Sequence, residues 1–85
     1  MSRIIVERSF ATPLSDADLM AFASRQQGCL NIHRVVHRRS LRSQDGRRMI
    51  CEYEAPDAES VRRVQREAEG PFDTIWVAED LVPPG

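Results

Sequence analysis

Apolar positions follow two rhythms along this chain, one suited to strands and the other to helices. Residues 3–10, Arg-Ile-Ile-Val-Glu-Arg-Ser-Phe, are rich in β-branched side chains and predict a strand. Leu14-Ser15-Asp16-Ala17-Asp18-Leu19 then opens a helix. Ser15 is placed to cap it, Asp18 stands at the third helical position, and Leu14 and Leu19 can staple across the cap. Leu19, Phe22, Ala23 and Gln26 continue at helical spacing, with Gly28 as the expected terminator. His33–Arg42 alternates weakly and holds neither Gly nor Pro, which predicts a second strand. Asp45-Gly46 follows as a two-residue hairpin turn with positive φ at both residues, and Arg47–Ala55 returns as the third strand. Asp57 caps a second helix whose apolar stripe is Ala58, Val61, Val64 and Ala68, supported by the Glu59–Arg63 pair. Gly70-Pro71 stops that helix, Phe72–Leu81 forms a last strand, and Val82–Gly85 is expected to fray.

The order βαββαβ, with the Asp-Gly hairpin joining two halves of similar length, defines an α+β ferredoxin-like sandwich. Two right-handed βαβ units make a four-stranded antiparallel sheet with both helices on one face. The other face stays bare and is where function is expected to lie. The two-residue turn would pair Gln44 with Arg47 and, by continuation, Arg39 with Glu52 and His37 with Glu54. Met49, Cys51 and Tyr53 then lie beneath the helices with Val36, Arg38, Ser40 and Arg42. Val35, His37, Arg39 and Leu41 join Ile50, Glu52 and Glu54 on the bare face, together with Ile5, Glu7 and Trp76. A bulge would overturn this assignment.

Length and charge narrow the classes of function. The 85 residues form a single domain, 1–85, with 41% hydrophobic and 29% charged residues, an ordinary globular balance. A chain of this size buries only about 60–65% of its unfolded surface, so a homodimer is expected. All 12 basic residues are Arg, which excludes Lys-centred covalent chemistry, and the net charge of −1 argues against general binding to nucleic acid or anionic membrane. The basic run His33–Arg48 contains no aromatic residue for base stacking and reads better as a charged edge strand. Two cysteines without a CxxC motif, a start too weakly apolar for a signal peptide and no transmembrane stretch together predict a cytoplasmic protein with reduced thiols.

The bare face offers an apolar floor with a few polar groups, as a small-ligand site requires: Ile5, His37, Arg39, Glu52 and Trp76 are its pocket candidates. A dimer interface with internal ion pairs has the same pattern. His37 and Glu54, facing each other, are candidate ligands of one ion. His33 and His37 are about 13 Å apart on a straight strand, so one ion cannot take both from one chain. Across a two-fold axis, imidazole and carboxylate from two subunits would suit nickel, zinc or cobalt.

The chain also resembles a known family. Ile5-Val6-Glu7-Arg8, Cys29-Leu30 followed by His33, Ser43–Met49, Cys51, the run Tyr53-Glu54-Ala55-Pro56-Asp57-Ala58-Glu59 and Trp76 are similar to short bacterial proteins. Most of these carry only an unknown-function domain label, and some are described as nickel-binding proteins. The resemblance implies a dimeric ferredoxin-like α/β barrel and divalent-metal binding, and among the matching positions Glu7 and His33 are of ligand type. Where family members place Trp and Tyr on the strand after His33, this chain has His37 and Leu41.

The expectation is a non-catalytic homodimer that binds Ni2+ or another divalent transition metal, or a small ligand, without an organic cofactor. Its metal candidates are Glu7, His33, His37 and Glu54. The alternative is a cofactor-free dimeric α/β-barrel enzyme, of monooxygenase or isomerase type, with His37 as general base.

Overall fold

A computed structural model describes residues 1–81 and Pro83. The tail expected to fray, Val82–Gly85, lies outside the described residues apart from Pro83. The elements are β1 (Ser2–Ser9), α1 (Asp16–Ile32), β2 (Val36–Arg42), β3 (Arg48–Ala55), α2 (Ala58–Glu67) and β4 (Thr74–Ala78). The strands form one antiparallel sheet in the order β2-β3-β1-β4. This is the ferredoxin-like α+β fold that the element order predicts. Among the described residues, no helix is long and apolar enough to cross a membrane.

Both helix starts follow from their caps. The Ser15 hydroxyl accepts from the Asp18 amide at 3.1 Å, and the Asp57 carboxylate accepts from the Ser60 amide at 2.8 Å. The helix ends are less direct. α1 runs through Gly28 and stops four residues later, because Cys29 and Leu30 pack against the core and offset the ~1 kcal/mol that a helical glycine costs. The left-handed residue that closes α1 is Arg34 (φ 60°), with Val35 N–H donating to Leu30 C=O at 2.9 Å and Arg34 N–H to Asn31 C=O at 3.2 Å. Glu69 (φ 56°) does the same for α2, with Gly70 N–H bonded to Gln65 C=O. Gly70 is needed for another reason: a Cβ there would lie 2.4 Å from Phe22 Cε1. His33 therefore caps a helix rather than entering a strand.

The hairpin is wider than a two-residue turn. Gly46 N–H donates to Ser43 C=O, Ser43 N–H donates to Arg48 C=O, and only Gly46 (φ 73°) takes positive φ. Asp45 stabilises the loop by accepting from the Ser43 hydroxyl and the Arg47 amide. Beyond it, Arg42↔Met49, Leu41↔Ile50, Ser40↔Cys51 and Arg39↔Glu52 pair in the expected register.

The register then slips by one residue, because Arg38 is a bulge. His37 lies opposite Tyr53, and Val36 lies opposite Glu54. Everything before the bulge changes sides relative to the regular ladder. Val35, expected on the bare face, is 3% exposed in the core, and Val36, expected in the core, is 43% exposed. His37 likewise sits on the helix side, which corrects its expected place opposite Glu54.

The core between sheet and helices comprises Ile4, Val6, Val35, Met49, Cys51, Tyr53, Ala55, Val61 and Val64. Burying each of the larger aliphatic side chains contributes about 1.5–3 kcal/mol. The α2 stripe is buried as its spacing predicts, whereas α1 buries only Phe22 and Gln26.

Candidate functional site

Alternation along β1 puts Ile5 and Glu7 on the face that the helices leave open. Cross-strand pairing sets Ile5 between Glu52 of β3 and Trp76 of β4, and Glu7 between Ile50 and Thr74. Ile5 is only 8% exposed although no helix covers it, because its neighbours fold over it. Ile5, Arg39, Leu41, Ile50, Glu52 and Trp76 line a shallow hollow of about 190 Å³. The structure thus brings Ile5, Arg39, Glu52 and Trp76 together and leaves His37 on the opposite side.

The polar groups of this face are engaged. Glu7 Oε2 accepts from Trp76 Nε1 at 2.9 Å and Thr74 Oγ1 at 3.0 Å. These two hydrogen bonds, Trp76 first, hold its carboxyl below the usual carboxylate range and fix the indole. Arg39 Nε stands 3.8 Å from Glu52 Oε2, a loose ion pair. Arg38 Nη2 donates to Glu54 Oε2 at 2.6 Å, and that hydrogen bond lowers the Glu54 pKa.

The four metal candidates do not converge within one chain. Glu7 and Glu54 share the open face, but Glu54 pairs with Arg3, four residues from Glu7 along β1 and about 13 Å away. His37 Nε2 lies 2.8 Å from Ser40 Oγ, and the Ser40 hydroxyl donates to Cys51 Sγ at 3.2 Å. Burial pushes the Cys51 thiol up, but hydrogen bonding from His37, the Arg8 charge and the Ser40 hydroxyl bring it down to about 7. His33 Nε2 lies 2.9 Å from Glu67 Oε2, joining the end of α1 to the end of α2. Among the described residues, no group of three or more His, Cys, Asp or Glu side chains could hold an ion.

Sequence reasoning overlooked a buried polar network between the layers. Arg8 is 2% exposed, with Nη2 donating to Gln65 Oε1 at 2.7 Å and to Tyr53 Oη at 3.3 Å, and Nη1 donating to Pro71 C=O at 2.9 Å. Tyr53 Oη in turn donates to Gln26 Oε1 at 2.5 Å, and Gln65 Nε2 donates to the same oxygen at 3.3 Å. Burial drives the Tyr53 hydroxyl further above its ordinary value, so it stays protonated. The signal was parity: Arg8 continues the inward series Ile4, Val6, and Gln65 falls four residues after Val61 on the buried stripe.

Four antiparallel strands under two helices, with one sheet face left open, define a two-layer ferredoxin-like α+β protein. The chain is a member of the SCO4226-like family, described as "Nickel responsive protein SCO4226-like", whose model matches residues 5–77. The crystal structure of SCO4226 from Streptomyces coelicolor A3(2) superposes with a TM-score of 0.78 at 18% identity, covering 99% of each chain. At that identity the likeness is one of fold. No curated protein matches the sequence.

Proposed function

We propose that the protein is a non-catalytic homodimer that binds a divalent transition metal, with nickel favoured, and that His33 and Glu67 anchor the ion. The supporting observation is the 2.9 Å separation of His33 Nε2 and Glu67 Oε2, in a family named for nickel responsiveness. Ligands about 2.1 Å from an octahedral ion stand about 3.0 Å apart when at right angles, so this pair needs little movement to chelate. Among the four candidate ligands, His33 alone is hydrogen-bonded to a carboxylate. Glu7 is occupied by Trp76 and Thr74, Glu54 by Arg38, and His37 by Ser40. Water or a second chain would complete the coordination sphere.

The open face supports dimerisation. Val36, Leu41, Ile50 and Trp76 are 37–57% exposed there without a covering layer, and so small a domain gains stability from a partner. The enzyme alternative loses its geometry, because its base His37 points to the helix side of the sheet, away from the hollow around Ile5.

Calorimetric titration of the protein with Ni2+ tests the site. His33→Ala and Glu67→Gln are expected to weaken binding at least tenfold, while His37→Ala binds as the parent does. Unchanged affinity in His33→Ala would remove the pair from the site.

A further inference from the structure

We propose that a cavity beneath α1, on the helix side of the sheet, binds a small aromatic carboxylate whose anion meets Arg8 and Arg25. The cavity measures about 250 Å³ and has walls of Leu14, Leu19, Phe22 and Met49, with the two arginines among them. A cavity of about 150 Å³ accommodates benzene, so the space suits an aromatic ring system bearing a carboxylate. It lies on the opposite layer from the hollow around Ile5, and its lining includes neither His33 nor Glu67, so it stands apart from the metal reading.

Three observations assign the ligand class. First, Arg8 is 2% exposed and permanently cationic, yet its hydrogen bonds among the described residues go to neutral groups, Pro71 C=O, Gln65 Oε1 and the protonated Tyr53 hydroxyl, and the acid its charge reaches is a thiol, Cys51, rather than a carboxylate. A buried cation without a carboxylate partner is costly, and an anion in the adjoining cavity would relieve it. Second, Arg8 Nε is buried with no hydrogen-bond partner, whereas the other side-chain nitrogens, Nη1 and Nη2, are both bonded. Third, both guanidinium groups lie near the Phe22 ring, Arg8 Cζ 4.7 Å and Arg25 Cζ 5.9 Å from its centroid. Among the described residues, Arg25 is tethered by Nε donating to Ala68 C=O at 2.8 Å, which leaves its terminal nitrogens available for bidentate contact.

The wall's own carboxylate, Asp18, does not fill this role. It is exposed in the first turn of α1 and makes no ion pair with either arginine among the described residues. The apolar walls and the paired cations together favour an amphipathic monoanion over inorganic phosphate or a neutral arene.

The test is titration of the ¹⁵N-labelled protein with 2-naphthoate in the presence of EDTA, following amide and arginine Nε–H signals. Binding is expected to shift the Arg8 Nε–H signal and the amides of Leu19 and Phe22. The neutral isostere 2-naphthamide should bind at least tenfold more weakly. Arg25→Gln, which leaves the buried network intact, should lower naphthoate affinity at least fivefold. No binding by naphthoate, equal binding by the amide, or shifts confined to the open face around Trp76 would each overturn the proposal. Because the chelator keeps metal out, these outcomes are separate from those of the nickel titration.

Discussion

His37 packs against Tyr53, ring centroids 5.1 Å apart, on the helix side of the sheet. The relationship exists because Arg38 occupies a bulge, and it determines which groups face which layer. His37 reaches Ser40 and, through it, Cys51, while the open face keeps Arg39, Glu52 and Trp76 around Ile5.

Deleting Arg38 tests the bulge. The deletion joins His37 directly to Arg39 and leaves a regular ladder with the present pairings, His37 with Tyr53 and Arg39 with Glu52. Only the exposed Arg38–Glu54 pair is lost, so unfolding free energy should change by less than about 1 kcal/mol. Nuclear Overhauser contacts between His37 and Tyr53 should persist. A collapse of stability with Val35 released from the core would contradict the register described here.

Gly70→Ala should be far more disruptive than its size suggests. The new methyl group would meet Phe22 2.4 Å away, so the ring that covers Arg8 must shift. Overpacking of this kind costs about 1–3 kcal/mol, and each kcal/mol lowers the melting temperature of so small a domain by roughly 4–8 °C. Thermal denaturation followed by circular dichroism reads this directly. A melting temperature equal to the parent's would show that Phe22 is not held against residue 70.

The cap of α2 should carry a pH signature. Hydrogen bonds from the Ser60 amide, and then the Ser60 hydroxyl, hold the Asp57 pKa below its ordinary 3.8 in the folded protein. Its stabilisation is therefore full above 3.8 and is lost as the pH falls through the lower folded value. Asp57→Ala should reduce the melting temperature at pH 7, and the gap to the parent should close towards pH 2.5. A gap independent of pH would mean that the carboxylate charge contributes nothing to the cap.

Local signals carried most of the fold. Ser15 and Asp57 mark their helix starts because a side-chain oxygen two or three residues before free amides has one favourable use. The α2 stripe reads clearly because Val61, Val64 and Ala68 leave little ambiguity of phase. Gly28 misleads because its cost of about 1 kcal/mol is small beside the packing of Leu30. Nothing in His37-Arg38-Arg39 marks a bulge, since no glycine or proline is required there, and that single residue moved His37 out of the predicted pocket. The His33–Glu67 contact spans 34 positions and depends on where two helices end, which no local pattern encodes. The Arg8 network was visible as polar residues at inward positions, a pattern that flags buried function as readily as a broken strand.

The most direct measurement is native mass spectrometry of the tag-free protein titrated with Ni2+, beside the His33→Ala variant. It counts subunits and ions in one spectrum. The expected result is a dimer that takes up one nickel ion per protomer and a variant dimer that takes up none. A parent protein that stays metal-free throughout the titration would contradict it.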